Sequence, residues 1–142
     1  MIVNFPRCFS WLLAHEGGFS NHARDPGNAT MHGVTKATYE DYIGRSVSID
    51  EIRGLTQDDV EPIYRSRYWN RVQGDSLPSG IDWAVFDWAV NSGPKRASQA
   101  LQKAVGSRAD GVIGPKTLDA VAHREDFLTI EKIHAERDAF YR

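Results

Sequence analysis

Apolar residues recur at helical spacing near the start of the chain, and a carboxylate ends the stripe. The positions are Phe5, Phe9, Leu12, Leu13 and Glu16. Asn4 and Pro6 favour the start of a helix, and the Gly17-Gly18 pair favours its end, because glycine readily takes the left-handed conformation that terminates a helix. The pattern predicts a first helix that carries Glu16 on its apolar face.

The segment from Phe19 to Gly33 is dense in Asn, Asp, Pro and Gly. It contains an Asp25-Pro26-Gly27-Asn28 run that is typical of a turn. We therefore predict a structured loop or small hairpin here, followed by a short helix from Thr35 to about Ile43.

Two further helix starts carry a hydroxyl and a carboxylate three residues apart. Ser48 to Glu51 and Thr56 to Asp59 both have the form of a capping box. Pro62 lies inside the helix that the second box would begin, so that helix either starts nearer Asp59 or is bent.

The second half of the chain is helical in pattern almost throughout. Ile81 to Val90 is apolar nearly all round, which is typical of a central helix, and Asn91 to Pro94 ends it. A stripe from Ala97 to Val105 closes at Gly106, and Gly114-Pro115 opens a short helix. The last helix is predicted to be lined by Phe127, Ile130, Ile133, His134 and Arg137.

Together these elements predict a mainly α fold, a helical bundle around a central apolar helix with a small loop or β-hairpin after the first helix. The aromatic residues on helical stripes belong to the core in this prediction, and they are Tyr64, Trp83, Phe86 and Trp88.

The amino-acid composition excludes several classes of protein. A chain of 142 residues with 41% hydrophobic residues and four Trp is expected to form one compact domain over residues 1–142. The net charge of −2 counts against a nucleic-acid-binding protein. Cys8 is the only cysteine, so the chain alone can form neither a disulfide nor a Cys-rich zinc module. We read no signal peptide and no membrane span in the sequence.

Glu16 is the most informative candidate for chemistry. Burial and the negative end of a helix dipole both raise the pKa of a carboxyl group, and a protonated acid is what a glycosidase needs to donate a proton. Asp25, in its loop, would stay ionised as the partner base, and Thr30 could hold a water. A helix-end glutamate and an ordinary Asp-Pro-Gly turn remain the alternatives.

The run HEGGFSNHARDPGNATMHGVT, from His15 to Thr35, resembles the signature of glycoside hydrolase family 108, the lysozyme-like muramidases of phage endolysins and bacterial cell-wall hydrolases. Three later blocks also resemble that family, the last two in its predicted peptidoglycan-binding portion. They are YRSRYW at Tyr64 to Trp69, DWAVFDWAVNSGPKRASQALQ at Asp82 to Gln102, and ADGVIGPKTLDAV at Ala109 to Val121.

The resemblance implies a lysozyme-like fold and hydrolysis of the β-1,4 bond between N-acetylmuramic acid and N-acetylglucosamine. Glu16 matches the catalytic glutamate, and Asp25 and Thr30 match a phage-lysozyme triad, although four residues separate them where the best-known phage enzymes have five. In that scheme Glu16 protonates the glycosidic oxygen and Asp25 activates a water, with inversion if the carboxyl groups lie roughly 6.5–9.5 Å apart.

Sugar recognition is expected to combine aromatic rings with an amide. The candidates are Tyr39, Tyr42, Tyr68, Trp69 and Asn91. We expect residues 1–80 to form a catalytic portion and residues 81–142 a peptidoglycan-binding-like portion on the same core. From Arg65 to Arg108, seven basic and three acidic residues give a local charge of +4, a basic face for an anionic substrate.

The expected partner is a peptidoglycan glycan strand, bound by a monomer without metal or cofactor, without nucleic acid and without stable membrane insertion. The protein would be made in the cytoplasm, reach the cell wall through a holin-type route, and act as a bacteriolytic, antimicrobial endolysin.

Three other functions stay open. A zinc amidase or peptidase is one alternative, suggested by three histidines and an aspartate in one short stretch, His15, His22, His32 and Asp25. No pair of these histidines, however, has the four-residue spacing that places two ligands on one helix face. A non-catalytic cell-wall-binding protein is the second alternative, suggested by residues 97–121. A lytic transglycosylase is the third, because such an enzyme also relies on a single glutamate.

Overall fold

The computed structural model describes residues 4–15 and 29–140. Tertiary contacts group the chain into two compact units. We call residues 9–64 the hairpin unit, and residues 1–8 together with 65–142 the helical unit. The division into a catalytic portion over residues 1–80 and a binding portion over residues 81–142 concerns function, and it stays a prediction.

The predicted first helix is confirmed as α1, Phe5–His15. Its first turn closes where Cys8 N–H donates to the Asn4 carbonyl at 3.0 Å. Phe5 and Cys8 are buried in the helical unit, and Phe9 and Leu12 are buried in the hairpin unit. The expected end of the helix, at Glu16 and the Gly17-Gly18 pair, lies outside the described residues.

In the remaining residues of the hairpin unit that the structure describes, 29–64, there are a two-stranded antiparallel sheet and three helices. The strands are β1, Thr30–Met31, and β2, Val34–Thr35. The helices are α2, Lys36–Ile43, α3, Ile49–Arg53, and α4, Gln57–Tyr64. The described part of the predicted loop or hairpin is therefore a hairpin, and its predicted turn at residues 25–28 lies outside the described residues.

Both predicted capping boxes supply caps. The Ser48 hydroxyl accepts from Glu51 N–H at 3.1 Å. Thr56 and Asp59 are reciprocal, since Asp59 N–H donates to the Thr56 hydroxyl at 3.2 Å and Thr56 N–H donates to the Asp59 carboxylate at 2.8 Å. Because α4 begins at Gln57, the alternative start nearer Asp59 is wrong, and the helix contains Pro62.

The second segment of the helical unit starts with a π-helical turn, Arg65–Trp69, and two 3₁₀ turns, Asn70–Val72 and Gly74–Ser76. Four α-helices follow. They are α5, Ile81–Ser92, α6, Pro94–Val105, α7, Pro115–Ala122, and α8, Asp126–Phe140.

The predicted central helix is confirmed as α5, which packs against α6, α8 and the short turns. Phe86 and Trp88 are buried as predicted, while Trp83 is only partly buried. The core around α5 contains Val72, Ile81, Val85, Ala89, Ala97, Leu101, Val105, Val121 and Ile133.

The residues that line α8 in the prediction differ in their burial. Ile133 is buried, but Phe127 is 63% exposed and His134 is exposed, whereas Thr129 is buried. The buried face of α8 therefore includes the hydroxyl-bearing Thr129. Packing against α5 and α6 determines which face of α8 is buried, and the spacing of its apolar residues alone does not.

Polar contacts join the starts of α1 and α5. Asn4 Nδ2 donates to Asp82 Oδ2 at 2.9 Å and to the Ser79 hydroxyl at 2.7 Å. Asp82 is 2% exposed, and its Oδ1 accepts from the backbone N–H groups of Gly80 and Trp83. A buried carboxylate with this many donors can serve as a structural cap of its own helix.

None of the helices in the described ranges is long and apolar enough to cross a membrane.

Candidate active site

The hairpin that carries Thr30 turns through two residues with positive φ. His32 has φ 51° and Gly33 has φ 78°, as a type I′ turn requires. Thr30 pairs with Thr35 and Met31 with Val34. Beyond the strands, Lys36 N–H donates to the Ala29 carbonyl at 2.9 Å, which extends the pairing to the base of the hairpin.

Tyr64, at the end of α4, fixes the tip of this hairpin. Its hydroxyl donates to the His32 carbonyl at 2.6 Å. The ring is 2% exposed and packs against Phe9 of α1 at 5.4 Å between centroids. Helix α3 packs against β1 as well. Thr30, partly buried on β1, therefore stands on a hairpin that is attached to α1, α3 and α4.

The sequence pattern places Tyr64 in the core, which is right for the ring, but it assigns no role to the hydroxyl. The available signal is chemical, because a buried tyrosine needs a hydrogen-bond partner.

The two candidate catalytic carboxylates, Glu16 and Asp25, lie outside the described residues. The segment that contains them starts directly after α1 and ends where Ala29 joins the hairpin. Residues 9–15 of α1 and the hairpin both belong to the hairpin unit. The carboxylates are thus connected at both ends to elements of the same unit.

Tyr39 and Tyr42 lie three residues apart on α2, so their side chains share a face of the helix. Tyr39 is partly buried and Tyr42 is 41% exposed. Glu40 anchors α2, since its carboxylate accepts from Lys36 Nζ at 3.0 Å and from Val47 N–H at 2.9 Å. These two contacts, the backbone one first, lower the pKa of Glu40.

The other three sugar candidates belong to the helical unit. Tyr68 is partly buried and packs against the core. Trp69 is 0% exposed, and its indole N–H donates to Asp75 at 2.9 Å. The Trp69 ring therefore has no face available for a sugar in this structure, and it serves in packing.

Asn91 is exposed at the end of α5. Its Nδ2 donates to the Asp87 carbonyl at 2.8 Å and lies 3.3 Å from the Asp87 carboxylate, which also pairs with Arg137 of α8. The side chain is thus oriented by its own helix, with its amide N–H groups directed to Asp87.

The structure describes only some of the residues that suggest a zinc site. His22 and Asp25 lie outside the described residues, and the described feature of His32 is its carbonyl, which accepts from Tyr64. Within residues 4–15 and 29–140 no group of three or more His, Cys, Asp and Glu could hold a metal ion. The zinc hypothesis stays a prediction.

Comparison with known proteins identifies the family. The sequence model of glycosyl hydrolase 108 matches residues 9–93. A solved structure, that of SagA from Brucella abortus, is 43% identical with a TM-score of 0.85, over 97% of this chain and 79% of that chain. No curated protein matches the chain. The mainly α, lysozyme-like fold is confirmed. The chain therefore belongs to glycosyl hydrolase family 108, and that membership supports a glycoside hydrolase with a lysozyme-like action on peptidoglycan.

Proposed function

We propose that the protein is a muramidase that cleaves the β-1,4 bond between N-acetylmuramic acid and N-acetylglucosamine. Glu16 is the general acid in this proposal, and Asp25 activates the attacking water. The observation that carries it is the family match over residues 9–93, which takes in the whole run from His15 to Thr35.

The hairpin unit supports these roles. Helix α1 is described up to His15, the residue before Glu16. An end of this helix at the Gly17-Gly18 pair would place Glu16 near the negative end of the helix dipole, which favours the protonated acid that must donate to the leaving oxygen. Thr30 stands on the hairpin that Tyr64 fixes, which suits it to hold a water beside Asp25. A separation of roughly 6.5–9.5 Å between the two carboxyl groups would give inversion at the anomeric carbon.

Sugar contacts in this proposal come from Tyr39 and Tyr42 on α2 and from Tyr68 and Asn91 of the helical unit. Trp69 contributes by packing beneath the neighbouring turns, because its ring is buried. We also propose that residues 81–142 contribute to binding of the cell wall.

The test is product analysis of digested peptidoglycan by mass spectrometry, for wild type, Glu16→Gln and Asp25→Asn. Matched controls are Glu61→Gln and Asp58→Asn, which make the same chemical changes on α4. Glu16→Gln should reduce turnover by at least about a hundredfold, the contribution expected of a general acid. It should still bind the cell wall, and the controls should retain activity.

Other outcomes would replace the proposal. Undiminished digestion by Glu16→Gln contradicts it, and anhydro-sugar ends in place of reducing ends indicate a lytic transglycosylase. Chelator-sensitive release of peptides indicates the zinc amidase. Binding without hydrolysis by wild type indicates a non-catalytic cell-wall-binding protein.

We further propose that the protein acts as a monomeric, bacteriolytic endolysin that depends on a holin-type pore. Sedimentation gives the oligomeric state. Expression in a bacterial host with and without a pore-forming protein tests the route, since lysis should require the pore.

A further inference from the structure

Charge is divided unevenly between the two units. The hairpin unit contains four Lys and Arg against nine Asp and Glu, a net charge of −5. The helical unit contains thirteen Lys and Arg against ten Asp and Glu, a net charge of +3. The chain's total of −2 thus conceals a basic unit that could attract an anionic partner.

Two cavities of the helical unit carry pairs of basic side chains. One, of 470 Å³, is lined by Arg71 and Lys95 together with Asn70 and Gln73, and we call it the Arg71 cavity. The other, of 500 Å³, is lined by Arg108 and Lys116 together with Ser107, and we call it the Arg108 cavity. Both volumes are in the range that suits a small-molecule or short-peptide ligand.

Asp110 and Val112 line both cavities, so the segment from Asp110 to Val112 separates them. Val112 is 70% exposed and lines both cavities, so its methyl groups are accessible to a ligand in either one. We call this segment the Asp110 loop.

The Asp110 loop is held from inside by Gln102 of α6, which is 1% exposed. Gln102 Nε2 donates to Asp110 Oδ1 and to the Val112 carbonyl, both at 2.9 Å. Gly111 N–H donates to Gln102 Oε1, also at 2.9 Å. A loop held by three hydrogen bonds to one buried side chain is preorganised, so that little conformational entropy is lost when a ligand binds.

The Asp110 carboxylate adds one negative charge between the basic pairs. Its pKa is lowered first by the hydrogen bond from Val112 N–H and then by that from Gln102. Because its Oδ1 is already occupied by these two donors, the carboxylate serves to hold the loop. Four basic side chains against one carboxylate leave the surface positive.

Lys95 is positioned by the loop itself. A Cβ added to Gly111 would lie 2.7 Å from Lys95 Cγ, and Gly111 has φ 83°, so only glycine lets the lysine stem lie across the loop. Within the described part of the chain, Arg71, Lys95, Arg108 and Lys116 form no ion pair with a carboxylate.

The chemistry of the lining favours an acidic peptide over a sugar. Sugars are held largely by aromatic stacking, and neither cavity has an aromatic residue among its described lining. In peptidoglycan the glycan strand is neutral where peptides are attached, whereas the stem peptides carry carboxylates and alanine methyl groups. Carboxylates match the basic pairs, and methyl groups match Val112.

Resting on the proposed function, we propose that the Arg71 and Arg108 cavities bind the stem peptides of peptidoglycan through their carboxylates, on either side of the Asp110 loop. The surface holds the protein on the cell wall by the peptide part of the polymer, while cleavage takes place in the glycan part.

The experiment measures co-sedimentation of the full chain with sacculi, in a Glu16→Gln background that leaves the polymer intact. Intact sacculi are compared with the glycan that remains after an amidase removes the stem peptides, immobilised on beads so that it sediments and with its freed lactyl carboxyl groups amidated so that it stays neutral; we call this material stripped sacculi. The variants are Arg71→Gln with Lys95→Met, and Arg108→Gln with Lys116→Gln. Methionine at 95 keeps an unbranched stem over Gly111 while removing the charge. Lys132→Gln, outside both cavities on α8, is the matched control.

Each double variant should bind intact sacculi about fivefold more weakly, as expected for two exposed charge contacts, with an unchanged melting temperature. Binding to stripped sacculi should be weak for every variant, and Lys132→Gln should bind like the parent. Equal binding to intact and stripped sacculi overturns the inference, as does undiminished binding by both double variants.

Competition separates specific from general binding. Free tetrapeptide stem should displace the protein, and a DNA oligomer of equal charge should not. Equal displacement by DNA would mean a general polyanion surface and would also overturn the inference. Failure of the proposed function is distinguishable, because it would appear in hydrolysis and not in binding: wild type would release no reducing ends, or the Glu16→Gln parent would still hydrolyse sacculi.

Discussion

The Tyr64 hydroxyl is a single group on which the tip of the hairpin depends. Tyr64→Phe removes the donor to the His32 carbonyl and leaves that acceptor unsatisfied beside a buried ring. We expect a loss of about 1–2 kcal/mol in the free energy of unfolding. Hydrogen exchange at the Lys36 amide, which closes the base of the hairpin, should become faster, and turnover should fall because Thr30 is less well positioned.

Tyr42→Phe is the control, since it removes the same atom from a ring that is 41% exposed. Its melting temperature should equal that of wild type. If Tyr64→Phe also melts and exchanges like wild type, the hydroxyl does not hold the hairpin.

Gly74 is required by close packing against Trp69. A Cβ at this position would lie 2.3 Å from Trp69 Cε2 and 2.4 Å from Cδ2, and the ring is held by contacts with Phe5 and Phe86 at 5.4 Å. Gly74→Ala should therefore destabilise the protein by about 2–3 kcal/mol, at the upper end of overpacking effects. Gly114→Ala is the matched control, because an added Cβ meets nothing within 4 Å there and φ is −114°. Equal melting temperatures for the two variants would contradict the packing argument.

At the scale of elements, the reciprocal cap of α4 gives a pH-dependent contribution to stability. The Thr56 backbone N–H and hydroxyl lower the pKa of Asp59 from its ordinary value of 3.8. Since the folded state favours the anion, the contribution is fully present above the ordinary value and is lost as pH falls through the lowered one. Asp59→Asn should thus melt below wild type at neutral pH, and the two should converge in strongly acidic solution. Thermal scans against pH test this.

Asp58→Asn is the control for charge alone, because Asp58 lies in the same first turn of α4. Its difference from wild type should be smaller than that of Asp59→Asn. A gap between Asp59→Asn and wild type that persists unchanged in acid would show that the Asp59 anion does not stabilise the cap.

These caps show what the sequence can predict about elements. Local signals at Ser48, Thr56, Gly106 and Pro115 give helix boundaries, because a cap or a break depends on neighbours in the chain. The π-helical and 3₁₀ turns over residues 65–76 are not predicted, since their backbone follows the packing of Trp69 and Gly74.

For the candidate site, too, the sequence predicts some features and not others. A local motif can nominate Glu16, Asp25 and Thr30, but it cannot show that Tyr64, 32 residues beyond His32, donates to the turn. Nor can it separate Trp69, which is buried, from exposed Tyr42, because both are aromatic residues on helical stretches. Such distinctions depend on contacts that are distant in sequence.

Gln102 of α6 organises a neighbouring loop that contains no helix or strand. Gln102→Met keeps the volume but leaves Gly111 N–H and the Val112 carbonyl without their buried partner. We expect a loss of about 2–4 kcal/mol in the free energy of unfolding. Gln99→Met on the same helix is the control, since among the described residues the Gln99 side chain makes one long hydrogen bond, of 3.4 Å, to the Ala109 carbonyl. Similar unfolding free energies for both would show that the network is not stabilising.

At the scale of the whole molecule, net charges of −5 and +3 on the two units give the protein an electrostatic asymmetry that its total of −2 hides. Raising the ionic strength from about 0.1 M to about 1 M shortens the Debye length from about 10 Å to about 3 Å. Attraction of the helical unit to anionic stem peptides should weaken accordingly, and hydrolysis of intact sacculi should fall severalfold. Hydrolysis of soluble, peptide-free glycan oligomers whose lactyl carboxyl groups have been amidated should change little, because those oligomers carry no carboxylate for the basic unit to attract. Turbidity loss of sacculi and reducing-end release from the oligomers measure the two rates. An equal salt dependence of both would place the effect in the catalytic step, and the charge asymmetry would then have no part in holding the cell wall.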